Sequence, residues 1–215
     1  LLARADYAGE GMEFEVKAHL EDGEGRWLQW HQAPPPPFPS QPLTSTTDYQ
    51  NSGVKSLVRV DGPGGGAWRL GLDWDRFGGS LEEAFGGGLT RQFDTITFEI
   101  LAPHAGFEYR IDGAGGGEAW ILSGGLRHMA HSDFDNEWVG QAGLIWKHSR
   151  FQTYLQASRS ANYPGVYVTV FGRRGPPWTI GEDWRDLEAE SIQHFEWGVQ
   201  WAINDARFFS LTYYH

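Results

Sequence analysis

Along most of this chain apolar and polar residues alternate one for one, the period of a β-strand with two unlike faces. From Met12 to Glu21 the apolar set is Met12, Phe14, Val16, Ala18 and Leu20, and the other face carries Glu13, Glu15, Lys17, His19 and Glu21. Trp68, Leu70, Leu72 and Trp74 alternate with Arg69, Gly71, Asp73 and Asp75. Phe195, Trp197, Val199, Trp201 and Ile203 alternate with His194, Glu196, Gly198, Gln200 and Ala202. At the helical 100° per residue these last five side chains would spread right round a helix, so strand is the reading. Short turn signals punctuate the runs: Gly9-Glu10-Gly11, Gly62 to Gly66, Gly113 to Gly117, Lys147 to Ser149 and Asn204 to Ala206. Long polar or Pro-rich connections, near 22–52, 79–93, 131–136 and 161–190, alternate with the short ones.

The pattern predicts an antiparallel all-β meander of about ten long amphipathic strands. They fall near 1–8, 12–20, 53–61, 67–78, 94–112, 118–130, 137–148, 150–160, 191–203 and 207–215. Residues 26–33 either extend the second strand or form a separate piece. The stretch 94–112 changes phase, from Phe98 and Ile100 to Phe107, Tyr109 and Ile111, and Pro103 at the change suggests a bulge or two strands. These runs are as long as the ~9–11 residues that a strand needs to cross a bilayer. Aromatic residues bracket them: Trp68 and Trp74, Trp138 and Trp146, with Tyr213 and Tyr214 near the last strand's end. Long strands, turns short on one side and long on the other, and aromatic girdles are the marks of a transmembrane β-barrel.

Composition narrows the functional classes. The net charge is −11, with 17 Lys and Arg against 28 Asp and Glu, which argues against a protein that tracks nucleic-acid phosphates. The absence of Cys excludes disulfides, thiol nucleophiles and thiolate metal sites. No apolar run reaches the ~18–20 residues of a transmembrane helix. The opening leucines lack a basic flank and read as mid-structure, so the chain is expected to be a fragment.

The C-terminal hundred residues carry a resemblance. Gly124-Gly125-Leu126-Arg127-His128, then Asp133 to Trp138, then the pair Gly143-Leu144, resembles a stretch of the TonB-dependent outer-membrane receptors. Tyr154 to Ser160 leading into Asn162-Tyr163-Pro164-Gly165 is similar to that family's strand and Pro-Gly loop. Leu187 to Glu190 with Phe195-Glu196-Trp197-Gly198-Val199, and then Phe208 to Tyr214, resembles two further segments. Ala189 departs from the family's usual proline. The resemblance implies that 1–215 is part of a transmembrane outer-membrane β-barrel of about 22 strands, without its plug domain or TonB box.

It further implies an active importer of a ferric siderophore, haem, cobalamin or a similar scarce nutrient in the bacterial outer membrane. The expected partners are outer-membrane lipid, a metal-chelate or similar ligand, and TonB acting through the plug. Long connections would lie outside the cell and short turns in the periplasm. Glu13, Glu15, Lys17, Arg59, Arg69, Asp73, His194, Glu196 and Gln200 would face the lumen and the plug. In the long loop 162–190, Arg173, Arg174, Trp178 and Trp184 could grip a flat anionic chelate by charge and stacking; packing of the tryptophans onto their neighbours is the plainer alternative.

Other chemistry is weakly signalled. Asp133, Asp135 and Glu137 alternate as Ca²⁺ ligands could, but without the glycine-containing twelve-residue loop. His128 and His131 would point to opposite faces of a strand. Asp73 with Asp75, or Glu13 with Glu15, could pair for glycoside hydrolysis, though charges repeated along a polar face need no chemistry. No Gly-x-Ser-x-Gly, P-loop or His-Glu-x-x-His occurs, so no enzyme, cofactor or metal site is expected. The alternatives are a passive porin-like barrel and a soluble β-sandwich binding module with exposed tryptophans as sugar platforms.

Overall fold

A computed structural model describes residues 1–30, 42–85, 90–113, 117–171, 183–204 and 206–215. Eleven strands follow one another: β1 (Leu2–Gly9), β2 (Met12–Trp30), β3 (Pro42–Asp61), β4 (Gly66–Phe85), β5 (Thr90–Asp94), β6 (Phe98–Asp112), β7 (Glu118–His131), β8 (Glu137–His148), β9 (Phe151–Asn162), β10 (Glu190–Asn204) and β11 (Arg207–Tyr214). One helical turn, α1 (Val168–Phe171), lies between β9 and β10. Each strand pairs antiparallel with its neighbour in sequence, except that β4 pairs with both the short β5 and β6. All strands lie in a single sheet, which sets aside the two-sheet sandwich. Among the described residues β1 and β11 do not pair, so the sheet is open.

The short connections are the turns that the glycines marked. Gly11 takes φ +70°, and Gly64 and Gly65 take +71° and +81°, a region that costs a side-chain-bearing residue energy. The long connections were expected to begin sooner than they do. β2 and β3 stay paired from Met12–Val60 up to Trp30–Pro42, so most of the expected loop 22–52 is strand. Likewise β4 continues to Phe85 and β5 doubles back on it across the expected loop 79–93. Both extensions are polar on the face that is apolar lower down: Asp22 and Glu24 on β2, Thr46, Asp48 and Gln50 on β3. The alternation that signals a strand therefore fades while the backbone ladder continues. Residues 26–30 extend the second strand, and Pro34 to Pro37 lie outside the described residues.

Pro103 breaks nothing. β6 runs through it with constant register to β4, and only the pairing of Ala102 and Pro103 to β7 is interrupted. The phase change has another cause: Phe98 lies on the mostly polar face at the strand's end, and loops cover it.

Candidate functional site

Residues directly opposite each other on paired strands share a face. The register therefore places Glu13, Glu15, Lys17, Arg59, Arg69, Asp73, His194, Glu196 and Gln200 on one face of the sheet. Their order across the strands is unusual. Arg4, Lys17 and Lys55 stand side by side, Asp6 stands beside Glu15, and Arg59 is directly opposite Arg69. Like charges directly opposed destabilise a sheet unless neighbouring rows compensate. Here neighbouring carboxylates compensate: Arg4 reaches Glu15 diagonally at 2.8 Å, Lys17 reaches the same Glu15 along its own strand at 2.6 Å, and Arg59 lies 3.6 Å from Glu13 directly opposite. Being exposed, each contributes little to stability.

Asp73 is different, because its side chain is only 10 % exposed. It accepts a hydrogen bond from Arg127 Nη1 at 2.8 Å, and His104 Nε2 lies 3.6 Å from its other oxygen. Gly71 makes room for this arrangement, since a Cβ there would overlap the His104 ring. On β10 Glu196 accepts a 2.6 Å hydrogen bond from the Tyr154 hydroxyl, and His194 Nε2 lies 3.5 Å from its second oxygen. His104, Arg127 and Tyr154 were not among the expected site residues. Each is recruited across strands by register, which the sequence does not print.

The opposite face is apolar and bare. Trp68, Leu70, Leu72, Leu122, Leu155 and Trp201 are all 42–56 % exposed. Its aromatic residues follow slanting lines across the sheet. On β4 the bracket is Trp68 and Trp74, and on β10 it is Phe195 and Trp201. Followed strand by strand through the register, Phe195 falls in the row of Trp68. Both lines thus drop by six residues, ~20 Å, over five strand-to-strand steps, ~24 Å. If both lines are level, the strands tilt by about 40°, within the ~35–45° of transmembrane barrels. Trp138 and Trp146 on β8 lie between these limits, and rings meet along the lower line: Trp68 with Phe107 at 5.6 Å, Trp120 with Trp146 at 5.8 Å.

A cap closes the ends of β6 and β7 on the charged face. Phe98 (0 % exposed), Trp184 (3 %) and Phe134 (6 %) form its centre, with Phe77, Ile96, Tyr163, Val166 and Val168 packed around. His131 sits among these rings, 4.5 Å from Tyr163 and 5.0 Å from Phe98, just beyond the row of Trp74. Its Nδ1 accepts the backbone N–H groups of Asp133 and Phe134, at 3.1 and 3.3 Å. Burial lowers the His131 pKa, against a smaller opposing effect of Asp133. The Tyr163 hydroxyl reaches the carbonyls of Met129 and Asp135, and burial first, then the charges of Glu137 and Asp135, raise its pKa.

Trp184 is thus a packing residue of the cap, with the Arg185 guanidinium 4.3 Å over its ring. Arg173, Arg174 and Trp178 lie outside the described residues. The loop carboxylates diverge: Asp133 accepts from Ser132 Oγ, Glu137 pairs with Arg159 at 2.8 Å, and Asp135 is exposed. No three His, Asp or Glu side chains among the described residues are placed to hold a metal ion. His128 packs its ring at a tilt against Trp138, 4.6 Å between centroids, on the apolar face away from His131.

No curated protein matches the chain. The family model of the TonB dependent receptor-like β-barrel matches residues 5–215. A meander with one apolar and one charged face is the architecture that such a barrel requires, and the match runs through every strand of it. The chain therefore belongs to the β-barrel family of the TonB-dependent receptors, which are receptors of the bacterial outer membrane.

Proposed function

We propose that residues 1–215 form a stretch of barrel wall in a receptor that imports a scarce nutrient, such as a ferric siderophore, haem or cobalamin. The apolar face meets outer-membrane lipid. The charged face lines the lumen, where Glu13, Glu15, Arg69, Asp73, His194 and Glu196 meet water and a plug. The loop between β9 and β10 reaches the outside and meets the ligand through Arg173, Arg174 and Trp178, with Trp184 anchoring it in the cap. Energy arrives through TonB, acting on the plug rather than on this wall.

The observation that supports this reading best is the slant of the aromatic lines, because only a tilted wall in a flat apolar slab requires both to drop together. The test is uptake by cells producing the receptor that carries this wall. Labelled ferric siderophore, haem and cobalamin are supplied with and without an uncoupler of the inner membrane. The reading expects one ligand class to accumulate, and only in energised cells. Entry of many small solutes regardless of the uncoupler would establish the passive porin instead.

A further inference from the structure

The charged face carries a cavity of about 540 Å³ that the ion-pair lattice leaves unfilled. Arg69, His104 and Arg127 border it, and Ser123, Gln141 and Ser158 complete its polar wall. Its floor is bare backbone at Gly106 and Gly125, which stand side by side in the register. A Cβ at Gly125 would meet only ordinary contacts from 3.6 Å, so glycine there leaves open space, whereas one at Gly106 would press on the Gly124 carbonyl at 3.2 Å.

The charge at this cavity is unbalanced. Arg69 forms no hydrogen bond or ion pair with the described residues, and the side chain directly opposite it is Arg59. Arg59 is already held by Glu13 and Asp61. Arg127 uses Nη1 on Asp73, while its buried Nε has no partner. No carboxylate borders the cavity: Asp73 is already shared by Arg127 and His104, and Glu108, opposite Ser123 on the same face, stands outside its lining. The polar side chains that remain at the space are donors: the Arg69 guanidinium, which has no partner among the described residues, the unused Arg127 Nε–H, an imidazole, serine hydroxyls and an amide. They are set among apolar Leu57, Leu126 and Val139, while Arg159 at the edge is taken up by Glu137. A volume of this size suits a small molecule or a few side chains.

We propose that this cavity is a carboxylate-binding site on the lumenal wall, with Arg69 as its principal cation and Arg127 as the second. It takes a compact oligocarboxylate. The carboxylates come either from a free chelate passing the wall or from an acidic polypeptide segment seated in the lumen. The site rests on the charged face being the lumen. It also explains why two arginines stand opposed on β3 and β4: an incoming anion offsets the repulsion that the sheet alone leaves.

Binding is measured on the protein in detergent micelles by titration calorimetry with two probes, citrate and a short glutamate-rich peptide, at low and at 0.15 M salt. At least one probe binds, more weakly in salt, and Arg69→Gln weakens it about tenfold, as loss of a charge-assisted contact should. Citrate preference marks the free chelate, and peptide preference the polypeptide source. Ser123→Glu, which places a carboxylate on the cavity wall two strands from Arg69 and spares the Asp73 pair, weakens binding at least as much. If neither probe binds, or if Arg69→Gln and Ser123→Glu bind as the parent does, the site is wrong. Energy-dependent uptake persisting alongside that result would leave the import reading intact and remove only this site.

Discussion

The cap and the wall of this sheet are built on opposite plans. In the cap, Phe98, Phe134 and Trp184 are shut away from solvent by protein, as in any water-soluble core. In the wall, Leu70, Trp68 and Trp201 are about half exposed, and nothing among the described residues covers them. Burial of the cap is completed by the chain itself and draws on the hydrophobic effect in water. The wall has backbone hydrogen bonds between strands but gains its apolar burial only from lipid. One fold thus contains a part that is stable by itself and a part whose environment is a component of its structure.

Substitutions can break that contrast. The largest effect is expected from Phe98→Ala, which empties the middle of the cap and costs ~3–5 kcal/mol. Hydrogen exchange should then accelerate at residues 132–136 and 163–169 while the β8–β9 ladder stays protected. Equal loss across the sheet would mean that cap and wall are a single unit. Next comes Leu70→Arg, near the middle of the apolar band, with a cost of ~2–4 kcal/mol for unfolding from lipid vesicles. Leu57→Arg, on the other face, is the control and should change little. Equal penalties at the two sites would erase the distinction between the faces.

Asp73→Asn is expected to cost about 2 kcal/mol, because it strips Arg127 of its charged partner where the pair is largely shielded. Salt should barely alter that loss, in contrast to the exposed pairs, and a strongly salt-dependent loss would place Asp73 among them. The smallest effect concerns pH. His131 is neutral when buried, and its folded pKa lies below the ordinary 6.5. Its contribution is therefore complete above pH 6.5 and declines as pH falls from there toward the folded pKa, because the unfolded chain takes the proton first. Exchange in the cap, followed from pH 7.5 to 5, should accelerate on the acid side in the parent and not in His131→Asn. A cap insensitive to pH in both would place the His131 imidazole in solvent.

What the sequence made legible follows from the same contrast. Where one face meets lipid and the other water, as between Trp68 and Trp74, alternation is clean and the strands can be read directly. Above the apolar band the lipid-side face turns polar, so the upper halves of β2, β3 and β4 lose the alternation seen lower down and read as loops. In the cap the charged face turns apolar, and the resulting phase change at Phe98 mimics a bulge beside Pro103. The charged positions on β2, β4 and β10 could be read from parity alone. Their partners could not, since His104 meets Asp73 only through the β4–β6 register, and Arg127 through one strand more. The resemblance in the C-terminal hundred residues named a family whose model runs over nearly the whole chain.

Depth in the bilayer reads the tilt of the wall directly. The chain has no cysteine, so Leu72→Cys and Trp197→Cys can each carry one spin label in lipid vesicles. A tilted wall places the two labels at equal depth, both reached by oxygen and shielded from aqueous relaxants. In the hydrogen-bond register Trp197 is the row-mate of Gly66, six residues below Leu72. A label at Trp197 lying ~15 Å from the level of Leu72, or one exposed to water, would contradict the tilted lipid-facing wall.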